Sequence, residues 1–299
     1  MKRRFVLGVL LASALIGCES TGQRPSELPV KQMSVNGTSL AYVEQGQGET
    51  VVFVHGAFGD WRNWEAMRPR IAEKYRFVSL SLRYHHPNAW TDDGGRYSLM
   101  QHVDDLAAFV RGLNVGKVHF VGNSMGSRIV GYVMLKHPEL VRSAVLGDPF
   151  IVPPTSADAK VAIASFQKDA ALSAAAAKAG DLKQSAILLY NAVLDDSNAF
   201  QTSSPIVQQR TLDNASSMGP YSRQPPAPPV TCEQFGASSV PALILSGENS
   251  RPIFRYGSEA LLGCLPKGTR QVIIPKGRHN WFAEESDAGA KAILAFLSK

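Results

Sequence analysis

Ser124 stands between two glycines, in Gly122-Asn123-Ser124-Met125-Gly126. An apolar run of β character, Lys117 to Val121, leads into it, and Ser127 to Lys136 reads as a helix beyond it. A serine on such a strand-to-helix turn can serve as a nucleophile. The flanking glycines let the backbone pass close without a Cβ clash. The helix starting there turns its free N–H groups and positive dipole end toward the point where an oxyanion would form. A hydroxyl attacks poorly until a base takes its proton, and a neutral imidazole suits that task. His279, in Pro275-Lys276-Gly277-Arg278-His279, follows a strand-like segment at Arg270 to Ile274 and precedes the final helix. His102, His119 and His137 fall on helix or strand positions, and His55 belongs to a His-Gly pair closing another strand. His85-His86 read as polar loop residues, since no cysteine or acid adjoins them to suggest a metal site. An acid, Asp148, closes the strand Ser143 to Leu146.

These groups are far apart in the chain, so the intervening elements must bring them together. Ser39 to Glu44 and Thr50 to Val54 read as neighbouring strands joined by the Gly46-Gln47-Gly48 turn. A helix around Asn63 to Lys74 leads to a strand at Phe77 to Leu82. Ser98 caps a helix whose apolar positions Leu99, Val103, Leu106, Phe109, Val110 and Leu113 recur at helical spacing. Alternation of β and α elements predicts an α/β fold with right-handed crossovers and a mostly parallel sheet covered on both faces. The alternation stops at Asp148-Pro149. From Ile151 to about Val230 no strand is expected; Ala157 to Lys178 and Leu182 to Leu194 read as helices, with a third near Ile206 to Ala215. Pro225-Pro226-Ala227-Pro228-Pro229 closes this stretch as a stiff connector. Strands resume at Pro241 to Leu245.

Strand, G-x-S-x-G and helix, with the His-Gly pair and a late histidine in this order, resemble the α/β-hydrolase superfamily. His55-Gly56-Ala57-Phe58-Gly59-Asp60-Trp61 and His137-Pro138-Glu139-Leu140-Val141 look like its capped esterases and non-haem perhydrolases. The resemblance implies an α/β-hydrolase core over 35–150 and 231–299. A helical cap, 151–230, is inserted after the sixth strand. It also implies a serine hydrolase of carboxylic esters, with Ser124 as nucleophile, His279 as general base, and the N–H groups of Ala57 and Met125 as the oxyanion hole. In the commoner pattern the triad acid lies in a G-x-x-D loop. Here that loop reads Gly247-Glu248-Asn249-Ser250, with Ser250 where Asp is expected. Asp148, 24 residues beyond Ser124, matches the strand-end acid of haloalkane dehalogenases and some esterases. By that analogy Asp148 is the expected acid and Glu248 the reserve. Two further readings use the same residues: a C–C or amide-bond hydrolase, and a non-catalytic envelope lipoprotein that keeps the fold. No cofactor and no metal are implied; the partner is a small-molecule ester, and a monomer is expected.

The N-terminus carries its own signal. Lys2, Arg3 and Arg4 precede a 13-residue apolar run, Phe5 to Gly17, too short to span a bilayer comfortably and therefore an export signal (residues 1–17). Leu15-Ile16-Gly17-Cys18 resembles the lipobox of bacterial lipoproteins. That implies acylation at Cys18 and a lipid anchor in the bacterial envelope, with Glu19 pointing to the outer membrane, facing the periplasm. Residues 18–34 read as a flexible tether. Without residues 1–17 the net charge falls from +6 to +3, which gives no argument for nucleic-acid binding. Cys232 and Cys264 then remain, 32 positions apart, and in an exported chain they invite a disulfide.

Overall fold

The computed structural model describes residues 28–298; the export signal, Cys18 and most of the tether lie outside them. Eight strands form one sheet: β1 (Lys31–Val35), β2 (Thr38–Gln45), β3 (Thr50–Val54), β4 (Arg76–Leu80), β5 (Val118–Asn123), β6 (Val141–Gly147), β7 (Ala242–Gly247) and β8 (Arg270–Ile274). Their order is β1-β2-β4-β3-β5-β6-β7-β8. β2 runs antiparallel to β1 and β4, and every other pairing is parallel.

Side chains alternate across the pleat, so each central strand feeds two cores. Val52, Val54 and Phe120 face the cluster that includes α2 (Leu99–Leu113) and α3 (Met125–Lys136). Val51, Phe53 and Val121 face the other, with Trp64, Trp281 and Ile293. That is why β3, Thr-Val-Val-Phe-Val, is apolar after its first residue and buried along its whole length. Ser98 caps α2 by accepting from the Gln101 N–H, as its position predicts.

Two local expectations need correction. Residues 31–34, read as tether, belong to β1: Met33 and Val35 alternate toward the α2 side, and Lys31 pairs with Tyr42. The helix expected over Asn63 to Lys74 is broken into a 3₁₀ turn, Trp61–Trp64, and α1 (Arg68–Ala72). Pro69 sits in the first turn of α1, where its missing N–H is tolerated but could not continue an earlier helix.

Between β6 and β7 the chain runs through α4 (Ala157–Lys178), α5 (Leu182–Leu194), α6 (Ala199–Thr202), α7 (Pro205–Asp213) and α8 (Met218–Arg223). This helical layer is clamped to the core by ion pairs and a side-chain amide hydrogen bond. Arg251, buried beyond β7, pairs with Asp169 of α4 at 2.6 Å. At the other end Arg62 pairs with Asp213 at 2.8 Å, and Asn214 donates to Asp60 at 2.7 Å. The short α9 (Cys232–Gly236) is joined to α10 (Pro252–Cys264) by a Cys232–Cys264 disulfide. α11 (Trp281–Glu284) and α12 (Ser286–Leu297) complete the chain.

Candidate active site

Ser124 caps α3 with φ 56° and ψ −121°, a conformation that a non-glycine residue holds only when its surroundings enforce it. The surroundings are backbone. Its N–H donates to Gly147 O at 2.9 Å, and the next turn is pinned by Ser127 Oγ, which donates to Gly147 O at 2.6 Å. A Cβ on Gly122 would sit 2.6 Å from the Gly126 carbonyl carbon, and one on Gly126 would sit 2.2 Å from Val54 O. Both glycines are therefore dictated by close packing around the serine.

His279 follows β8 and is 2% exposed. Its Nδ1–H donates to Asp148 Oδ2 at 3.1 Å, which leaves Nε2 as the nitrogen available to a substrate-side proton. Asp148, fully buried at the end of β6, also accepts from Ser250 Oγ at 2.7 Å; its other oxygen has no partner among the described residues. Phe254 of α10 stacks on the imidazole with ring centres 3.9 Å apart. Asn123 holds the backbone of the same loop, its Nδ2 donating to His279 O at 3.3 Å. Glu248 is exposed and accepts from the Lys276 N–H at 2.8 Å instead; it makes no bond to the imidazole.

Ser124, Asp148 and His279 line one cavity of about 260 Å³ together with Ala57 and Met125. Among the described residues no hydrogen bond joins Ser124 Oγ to His279; the two share the cavity wall. The His-Gly turn passes directly over the serine, for a Cβ on Gly56 would lie 3.4 Å from Ser124 Cβ. No backbone carbonyl among the described residues accepts from the N–H of Ala57 or Met125. Both residues line the cavity that Ser124 lines, with their N–H groups unshared.

Two histidines fix that turn. His55 Nδ1–H donates to Gly56 O at 2.7 Å, while its Nε2 accepts the Leu82 N–H at 2.9 Å. His85 Nε2–H donates to Ala57 O at 3.1 Å. His85 lies on a loop, as expected, but is fully buried beneath the turn, where the Ala57 carbonyl needs a donor that solvent cannot supply. Burial brings His55 down to about 4 and His102 to about 3, and pushes His85 well below the ordinary 6.5. All three are neutral at physiological pH. Phe254 and His85 escape sequence reasoning, since their contacts cross 25 and 28 positions and no local spacing marks them. Ser250 is marked by the G-x-x-D loop, but its bond to Asp148 crosses 102 positions.

Comparison with known proteins adds a common frame. Residues 49–286 match the family described as alpha/beta hydrolase fold. The 2-hydroxy-6-oxo-6-(2'-aminophenyl)hexa-2,4-dienoic acid hydrolase of Metapseudomonas resinovorans is 31% identical over 121 residues, covering 38% of this chain and 40% of the relative. The 2-(acetamidomethylene)succinate hydrolase of Mesorhizobium japonicum is 28% identical over 123 residues, 40% and 44% of the two chains. The matched region thus spans less than half the length of these curated relatives. In fold, the chain resembles the carboxylesterase CesB (YbfK) from Bacillus subtilis, with a TM-score of 0.71 at 15% identity over 91% of this chain and 92% of that one.

Proposed function

Because this chain belongs to the alpha/beta hydrolase fold family, we propose that it is a serine hydrolase cleaving carboxylic esters through an acyl-enzyme on Ser124. The observation that carries the reading is the 3.1 Å bond from His279 Nδ1 to a fully buried Asp148, at a cavity that Ser124 also lines. Ser124 Oγ attacks the ester carbon as its proton passes to His279 Nε2. The carbonyl oxygen takes up the negative charge between the N–H groups of Ala57 and Met125. Collapse breaks the ester C–O bond, and the leaving alkoxide takes the proton from His279. Water, deprotonated by the same nitrogen, then releases the acid and restores Ser124. Asp148 fixes the imidazole tautomer and stabilises the transient imidazolium without itself accepting a proton.

Retention of a strained serine, a partnered imidazole and two unshared N–H donors favours this over an inert scaffold, since folding alone needs none of them. The C–C bond alternative draws support from the named relatives but from no separate feature of the site. Within the same proposal the protein is a monomer tethered by an acylated Cys18 to the bacterial outer membrane, facing the periplasm; mass spectrometry of the N-terminal peptide tests that part. The decisive test of the chemistry is covalent labelling by a fluorophosphonate, which Ser124→Ala should abolish, together with turnover of short p-nitrophenyl esters. Folded wild type that neither labels nor turns over such esters refutes the reading.

A further inference from the structure

Arg128 lies one helical turn beyond Ser124, about 6 Å along the axis of α3, and its side chain lines the same cavity. Its Nε is buried without a hydrogen-bond partner, and among the described residues its guanidinium makes no ion pair. The acid that also lines this cavity, Asp148, is already committed to His279 and Ser250. Gln167 and Gln224 line the same cavity, and Ile163, Phe166, Leu189 and Phe254 supply apolar wall. Arg128 is half-buried, and its Nε–H, which has lost water and gained no partner, is costly to keep. An occupant with an oxyanion would satisfy it, and the planar fork matches a carboxylate in bidentate fashion.

We propose that Arg128 is the specificity residue of an anion-binding subsite, and that the preferred substrate is a small ester bearing a second, free carboxylate. This rests on the hydrolase reading above. The apolar wall takes a short carbon chain, the oxyanion donors hold the ester carbonyl, and Arg128 holds the far carboxylate with Gln167 and Gln224 as neutral donors. A cavity of about 260 Å³ falls just below the range of drug-sized ligand sites. That suits a hemiester of a short dicarboxylic acid and leaves no room for a two-chain phospholipid.

The test compares kcat/KM of the full-length protein on monoethyl adipate and on ethyl hexanoate, its neutral counterpart of equal chain length. Wild type should favour the hemiester at least tenfold, and the preference should shrink as salt is raised. Arg128→Gln should reduce the hemiester-to-neutral ratio at least tenfold, and Arg128→Lys should restore part of it. Inhibition of wild type by free adipate more than by hexanoate supplies a measurement that needs no variant. Equal use of the two esters by wild type, or a ratio that Arg128→Gln leaves in place, overturns the subsite. If wild type takes up the fluorophosphonate and cleaves ethyl hexanoate while showing no such preference, only the subsite fails. If it does neither, the hydrolase reading fails first.

Discussion

Acid should weaken this fold through its buried histidines, and His102 isolates the effect. The ring is fully buried, edge-on to Tyr97 at 4.7 Å, with both nitrogens unpartnered. Burial holds its pKa at about 3 and that of His55 at about 4, against an ordinary 6.5. The sign follows from proton binding. Below 6.5 the unfolded chain takes up a proton at each site that the folded protein refuses, so stability is fully present above that value and falls with pH. Each site costs at most about 1.4 kcal/mol per pH unit, or about 2 kcal/mol between pH 7 and pH 5. The two together cost about 4 kcal/mol, a large share of the roughly 5–15 kcal/mol that holds a domain folded.

His102→Phe removes one such site without breaking a hydrogen bond. The larger ring adds a packing cost of about 1–3 kcal/mol at every pH, so the informative quantity is the difference between two pH values. Urea unfolding followed by tryptophan fluorescence at pH 7 and pH 5 gives it, provided the slope with denaturant stays constant. The loss of stability over that interval should shrink by about 2 kcal/mol in the variant. Carboxylates and the other histidines are common to both proteins and cancel. An interval loss equal to that of wild type would refute the claim that His102 is held neutral by burial. At His55 the same acidification reaches the site, because a proton on Nε2 would face the Leu82 N–H that this nitrogen now accepts.

Asp148→Asn should lower kcat on short esters about 10⁴-fold by disturbing the His279 tautomer, while Glu248→Gln, exposed and bonded to Lys276, should change it less than about threefold; the reverse pattern would transfer the acid role. Replacing both Cys232 and Cys264 by serine frees a loop of 32 positions and should cost about 3–4 kcal/mol in urea unfolding, as should reduction of the wild type; an unchanged midpoint would refute the stabilising role. Gly126→Ala places a methyl 2.2 Å from Val54 O, which backbone cannot yield cheaply, so it should cost more than about 3 kcal/mol and abolish fluorophosphonate labelling. Normal labelling there would mean that the elbow is less tightly packed than described.

The parts of the fold readable in advance were those written in local periodicity. The helices at Ala157–Lys178 and Leu182–Leu194 match their expected bounds, because a serine or aspartate cap and an uninterrupted helical run specify both ends. β1 escaped because Lys31–Val35 is an edge strand whose alternation, two apolar residues in five, is too short to separate from a tether. The break before α1 turns on a single Pro69. In the site, Ser124 and His279 announce themselves by glycine spacing and by position after a strand. His85 and Phe254 do not, since their roles come from contacts between elements that only the folded sheet brings side by side. Ser250 is marked in sequence only as a departure from the G-x-x-D loop.

Ser250 shows how a departure in sequence can be physically coherent. β6 and β7 are parallel neighbours, with Gly147 paired to Leu245, so their C-terminal ends stand about 4.8 Å apart. An acid projecting from either end can reach the same imidazole. Two acids there would repel, raise each other's pKa and weaken the charge that steadies an imidazolium. With Asp148 on β6, the β7 loop must offer something other than a carboxylate, and Ser250 Oγ offers a donor at 2.7 Å to the oxygen that already accepts from His279. The hydroxyl at position 250 is therefore the complement of the carboxylate at 148. Reading position 250 alone suggests a missing acid, whereas reading it together with Asp148 as one site accounts for the Gly-Glu-Asn-Ser loop without calling on Glu248.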